Sequence, residues 1–417
     1  MRASSPSLRP LRALLCLLTF SAGCGEEVSP GWSGAIVDSA GVTIVRNPLQ
    51  PIWAPEEGWW VEELFRVGGD ESVPASHFGY VADAALGEDG RIYVLDQRAQ
   101  AVRVFDSDGG LVRSLGGPGE GPGELGRLAT SVLESGGEIL VVDWVQHRLS
   151  RYDVADGRVL PSLPLPHAPA AQSWWESGGD GEVYLRSLSR SRATDGGWSS
   201  DDWLLRWVDE ARTDTVLRFE YPATGLGARG APRLSPVVNA PAWAVLEDGR
   251  VAWTTLSADE LRMVSPAGGV RLVRGASWVP HAPSQAERDA LVRGVAARIV
   301  MLGGMASAVD EVPVDHPETL PVLTDVRAGP EGSVWVQRAG SLRDAHPMAL
   351  NTADPPRGWG GPRWEVLDPE GRYLGTVDLP PRFRLMEIRG DTILGVQADR
   401  DLVDHVVILN LNRPGNP

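Results

Sequence analysis

The feature that limits this chain most is a unit of short alternating strands that keeps returning. Residues 80–117 hold the clearest example, in the segments YVADAALGEDG, RIYVLD, AVRVFD and GLVRSLG. In RIYVLD, Ile92 and Val94 alternate with Tyr93 and Leu95, the two-residue period of a strand. Turn residues separate the segments: EDG at Glu88–Gly90 and Glu247–Gly249, PEG at Pro330–Gly332 and Pro369–Gly371. Glycine supplies the positive φ that tight hairpins need, and aspartate supports it with local hydrogen bonds. Four strands in about 40 residues is the spacing of one propeller blade.

The same rhythm recurs at 130–163, 172–220, 242–275 and 323–379. A sixth unit begins with RLMEIRGDTILGVQAD (Arg384–Asp399) and DHVVILNL (Asp404–Leu411), but the outermost strand is missing. A spare strand stands at the front, GWWVEELFRVGG (Gly58–Gly69). Pairing it with DHVVILNL completes the sixth unit and removes the open ends of the ring. The fold class expected is therefore all-β: a six-bladed β-propeller of four-stranded antiparallel blades spanning 58–413, closed by its own N-terminal strand. GAIVDSAGVTIVRNP (Gly34–Pro48) reads as an additional hairpin packed on the outside. The strand tryptophans Trp243, Trp253, Trp335 and Trp364 are expected to fill the wedges between blades.

The stretch VADAALGEDGRIYVLDQRAQAVRVFDSDGGLVRSLGGPGEGPGEL resembles the NHL-type repeat, including the glycine-rich run GGPGEGPGEL (Gly116–Leu125) after the outer strand. The likeness is to six-bladed β-propeller lipoproteins and secreted proteins of bacteria, a largely uncharacterised family. It is specific for the first unit and fair for the second; the others match by strand rhythm. The resemblance implies a ring whose innermost strands line a central channel. The glycine-rich run lacks the Lys-Ser/Thr ending of a P-loop and is not followed by a helical pattern, so it is read as an inter-blade connection.

The N-terminus reads as an address. Arg2, Arg9 and Arg12 precede the apolar LLCLLTF (Leu14–Phe20), and SAGC (Ser21–Cys24) follows, a secretory signal over 1–23. Small residues before a cysteine resemble the bacterial lipobox, which makes Cys24 the lipidated first residue of the mature chain; Ser21 stands where that pattern has an apolar residue. The alternative is ordinary cleavage and plain secretion. Residues 24–57 then form the tether and N-terminal hairpin. The expected location is the cell envelope, outer membrane or periplasm, or the exterior. Contact with a membrane is expected only through Cys24. The two cysteines, Cys16 and Cys24, both lie in this segment, so the rest of the chain has no disulfide. A formal charge of −16 argues against nucleic-acid binding. A monomer is expected.

One segment breaks the β rhythm. HAPSQAERDALVRGVAARIVMLGGM (His281–Met305) carries a capping box, Ser284 with Glu287, and an apolar stripe of Leu291, Val295, Ile299 and Leu302. It reads as a helix inserted over 283–305, either a lid or partner site at the channel or a cover for blade surface.

Chemistry is less legible. Asp83, Asn239, Asp325 and Glu387 fall on or beside innermost strands and are candidate channel ligands for Ca²⁺. The other reading is that each caps a strand or meets channel water. His77, just before the first inner strand, is a candidate acid/base. The histidines show no zinc spacing, and no Gly-x-Ser-x-Gly elbow is present. Two functions stand side by side. One is a binding or scaffold propeller that recognises a protein, peptide or glycan at one face and needs no cofactor. The alternative is a Ca²⁺-dependent hydrolase or lyase with its site in the channel.

Overall fold

The computed structural model describes residues 31–68, 77–165, 175–178, 182–192, 198–209, 212–220, 240–255, 258–301, 318–340 and 360–414. Near the N-terminus lie β1 (Ala35–Ser39), β2 (Val42–Asn47) and β3 (Trp60–Val67). Blade 1 is β4 (Val81–Leu86), β5 (Ile92–Asp96), β6 (Ala101–Phe105) and β7 (Leu111–Gly116). Blade 2 is β8 (Ala129–Ser135), β9 (Glu138–Asp143), β10 (Arg148–Asp153) and β11 (Val159–Pro164). Blade 3 is β12 (Trp175–Ser177), β13 (Val183–Arg192), β14 (Trp198–Asp209) and β15 (Arg212–Phe219). Blade 4 is β16 (Pro241–Val245), β17 (Val251–Thr255), β18 (Leu261–Val264) and β19 (Val270–Gly275), followed by α1 (Gln285–Met301). Blade 5 is β20 (Leu323–Ala328), β21 (Val334–Ala339), β22 (Gly360–Leu367) and β23 (Tyr373–Asp378). Blade 6 is β24 (Phe383–Arg389), β25 (Thr392–Ala398) and β26 (Asp404–Asn412), with β3 as its outer strand.

The strand alternation explains the ring. In β5, Ile92 and Val94 join a buried cluster shared with blade 6, while Tyr93 and Leu95 join the cluster shared with blade 2. A blade is thus a sheet buried on both faces, and odd and even residues serve different neighbours. Each of the six blade–blade interfaces has its own buried apolar cluster. The strand tryptophans fill these wedges: Trp335 and Trp364 between blades 5 and 6, Trp243 and Trp253 between blades 3 and 4. At the EDG turns, Gly90 and Gly249 have φ of +80° and +76°, the left-handed region that the turn demands.

The ring closes as the spare front strand implies. β3 pairs antiparallel with β26, from Val406 opposite Val67 to Asn412 opposite Trp60. The additional hairpin does more than pack outside. β2 pairs in parallel with β19, Val270 opposite Val42 through Gly275 opposite Asn47, so blade 4 becomes a six-stranded sheet. From there the chain crosses the edge of blade 5 to reach blade 6. The Ile52 and Trp53 amides donate to the carbonyls of Tyr373 and Leu374 (3.1 and 2.9 Å). Asn47 is buried; its Oδ1 accepts from the Trp32 indole (3.2 Å) and the Tyr373 amide (2.8 Å), and its Nδ2 donates to the Gly371 carbonyl (2.8 Å). One belt therefore ties blades 4, 5 and 6.

A second departure lies in blade 3. β13 and β14 pair from Val183 opposite Trp207 out to Arg192 opposite Trp198, a longer pairing than between the middle strands of the other blades among the described residues. Its distal part, from Ser187 to Asp202, is mostly polar, so no apolar alternation advertises it.

Candidate functional site

The six inner strands β4, β8, β12, β16, β20 and β24 run in the same sense around the axis, and they bound a cavity of about 670 Å³ where they finish. Each blade contributes one glutamate to its wall: Glu88, Glu134, Glu176, Glu247, Glu331 and Glu387. With Asp83, that makes seven carboxylates against three guanidinium groups, Arg327, Arg389 and Arg413. Glu88, Glu247 and Glu331 stand exposed on the hairpins that leave the inner strands; Glu134, Glu176 and Glu387 are half-buried. Glu331 pairs with Arg413, and Glu387 with Arg389 (2.6 Å). The carboxylates of Glu88 and Glu247 form no ion pair and accept no hydrogen bond among the described residues. Burial, helped by Asp89 and Glu88, raises the Glu134 carboxyl above the usual carboxylate range, against the lowering pull of the Tyr93 hydroxyl and the Glu88 amide.

The base of the wall is ionic. Arg327, 5% exposed, donates to Asp325 (3.0 Å) on its own strand and to Glu176 (3.2 Å). Glu176 belongs to blade 3 and Arg327 to blade 5, so the guanidinium reaches past blade 4. Burial raises the Asp325 carboxyl, and Arg327 beside it acts in the opposite direction.

The three acids singled out from the sequence each follow an irregularity of the inner strand. Register shifts occur between Val81 and Asp83, Leu323 and Asp325, and Leu385 and Glu387. A bulge re-aims the next side chain. Here it turns each acid towards a backbone amide or a cation. Asp83 accepts the Val132 amide of blade 2 (3.0 Å), and Glu387 accepts the Leu86 amide of blade 1 (2.9 Å). Ser131 follows a similar shift in β8 and accepts the Trp175 amide of blade 3 (3.3 Å). These contacts stitch inner strands that share no ladder. Asp83 and Glu387 also line the cavity, whereas Asp325 sits behind Arg327. Among the described residues, no group of three or more His, Cys, Asp or Glu converges in a way that could hold a metal ion.

The remaining candidates lie elsewhere. His77 is exposed and precedes β4 at the end of the ring away from the cavity. Asn239 and Cys24 fall outside the described residues. The glycine-rich run links blades 1 and 2: Arg148 donates to the carbonyls of Glu120, Gly121 and Glu124, and the Tyr152 hydroxyl donates to Gly123 (2.8 Å). α1 carries its capping box, with the Ser284 amide donating to Glu287 (2.8 Å) and the Glu287 amide to the Ser284 hydroxyl (3.4 Å). Its segment leaves from the end of β19 and rejoins the ring before β20, at the end opposite the cavity. The glutamate ring was the feature missed from sequence. Its signal was a Glu before the glycine of every hairpin following an inner strand, as in GEDG, LESGG, WESGG, LEDG, PEG and MEIRG.

Six sheets around an axis, closed by β3 on β26, decide the architecture. The chain is a six-bladed β-propeller. A family model, DUF5128, described as a 6-bladed beta-propeller, matches residues 84–175. The propeller is also similar to a member of the DUF4221 family from Bacteroides vulgatus, at 10% identity and TM-score 0.48, covering 86% of this chain and 99% of that one. A putative exported protein from Bacteroides fragilis gives 12% identity and TM-score 0.46, with coverages of 89% and 100%. Virginiamycin B lyase from Staphylococcus aureus gives 10% identity and TM-score 0.45, with coverages of 85% and 100%. No curated protein matches the chain. No helix among the described residues is long and apolar enough to cross a membrane.

Proposed function

We propose that this propeller is an exported binding protein whose axial cavity receives a basic group of a peptide or protein chain. The observation that carries the reading is the cavity wall, in which all six blades place a glutamate around one space of about 670 Å³. The formal excess of four negative charges there disfavours an anionic ligand and draws a cationic one. A guanidinium or ammonium entering on the axis can meet Glu88 and Glu247, whose carboxylates are not engaged by described residues, without breaking an ion pair. The signal-like N-terminus with Cys24 supports placement in the cell envelope, by lipid anchor or by secretion.

The test is calorimetric titration of the mature chain with triarginine at low and high salt. Each charged contact at an exposed rim is worth about 0.2–1 kcal/mol. Replacing Glu88, Glu134 and Glu247 together by Gln is therefore expected to weaken binding about tenfold. Raising the salt is expected to weaken binding to the unmutated chain. Equal affinity of the triple variant and its parent would reject the cavity as the site.

A further inference from the structure

The strand directions fix where the tether leaves the ring. β16 ends at the cavity with Val245, where β17 begins opposite it with Val251; β18 comes back to that end with Val264, opposite Val270, the first residue of β19. β19 therefore starts at the cavity end and finishes, at Gly275, at the far end. β2 runs parallel to it, so Asn47 beside Gly275 also lies at the far end. β1 runs back against β2, with Ala35 opposite Arg46 and Ser39 opposite Val42, so the hairpin's first strand starts at the far end too. Trp32 pins that start. It is 3% exposed, its indole donates to Asn47, and it packs in the cluster that holds Val45 and Trp278. Gly34 permits the turn into β1, because a Cβ there would lie 2.4 Å from the Arg46 carbonyl oxygen and 2.3 Å from the Trp32 ring.

From these directions we infer that the protein, anchored to a bilayer through Cys24, stands with its far end on the lipid surface and its glutamate-lined cavity turned away from it. This rests on the reading of Cys24 as the lipidated residue and on the cavity as the binding site. Seven residue steps separate Cys24 from Gly31, a reach of at most about 25 Å. A blade is about 20 Å high, from six residues at about 3.3 Å each. Starting from the far end, the tether meets lipid under that end at any extension. Turning the cavity down would require it to run the full height of blade 4 first, using about 20 Å of a reach of at most about 25 Å, so that it would have to be almost fully extended. The excess of carboxylates at the cavity also opposes approach to an anionic bilayer.

The mature chain contains no cysteine after Cys24, so a single reporter thiol is clean. Asp108→Cys, on the exposed turn between β6 and β7, reports the cavity end; Val279→Cys, where the native side chain is 67% exposed, reports the far end. The lipidated full-length protein, spin-labelled at one or the other, is placed in vesicles containing a nickel-chelating lipid. Paramagnetic broadening is expected to be several-fold stronger for the label at 279 than for the label at 108. Equal broadening, or the reverse order, would overturn the orientation. Failure of the protein to float with vesicles would overturn it at the anchor instead. That outcome leaves the cavity reading standing, because triarginine titration of the soluble chain reads the cavity alone.

Discussion

Arg327 is a buried cation at the base of the inner ring. It is 5% exposed and satisfies Asp325, itself 4% exposed, at 3.0 Å. Replacing it with methionine keeps most of the volume and removes the charge. Asp325 is then left buried with the Val326 amide (2.8 Å) as its remaining donor among the described residues. Breaking a buried pair by deleting one partner costs about 3–5 kcal/mol. The cost has a pH signature. Burial already holds the Asp325 carboxyl above its ordinary range. An acid raised in the folded state contributes stability below its unfolded pKa and loses that contribution as pH rises through the folded one. Without Arg327 the folded value rises further, so the loss continues to higher pH. Arg327→Met should therefore lose about 3–5 kcal/mol near pH 8, read from urea unfolding, and distinctly less near pH 4.5. Adding Asp325→Leu should recover most of the deficit, since the stranded charge is gone. A deficit below about 1 kcal/mol, or one equal at the two pH values, would refute this account of the base of the cavity.

Asn47→Ala removes three hydrogen bonds, one within the N-terminal belt and two that join the belt to blade 5, and leaves the Trp32 indole and the Tyr373 amide without this acceptor. A loss of about 3 kcal/mol is expected in urea unfolding, with early exposure of Trp53 to a fluorescence quencher. Glu134→Gln should stabilise the fold at neutral pH, because the raised carboxyl no longer has to ionise there. The gain should vanish as the pH falls below about 4, where the native residue is protonated in both states; thermal unfolding across pH checks it. All 39 basic side chains of the chain are arginine. An amine-reactive label should accordingly mark the processed protein at most once, on the peptide that begins with Cys24. A labelled peptide beginning with Met1 would contradict processing.

The ring was legible because its blades are buried on both faces, which makes strands such as RIYVLD short, nearly continuous apolar runs bounded by turn residues and repeated at one spacing. Closure was legible because a sixth unit one strand short and a spare strand in front admit one solution. The place of the N-terminal hairpin was not. Its alternation says that it pairs, but the outer edges of six blades look alike, and the choice of β19 is made by Trp32, Asn47 and Trp278 meeting at one corner. The acids of the inner strands stand out in the sequence by their position, but the bulges that aim them at neighbouring amides leave no mark in the residue pattern. The glutamate ring escaped because its members stand about one blade apart in sequence. Only closure brings Glu387 of the last blade next to Leu86 of the first.

The most direct test of the central claim is a crystal structure of the mature chain grown with triarginine. The account predicts a guanidinium on the propeller axis, within hydrogen-bonding distance of Glu88, Glu134 or Glu247. Peptide bound at an outer edge or at the α1 end, with the axial cavity holding only water, would contradict it.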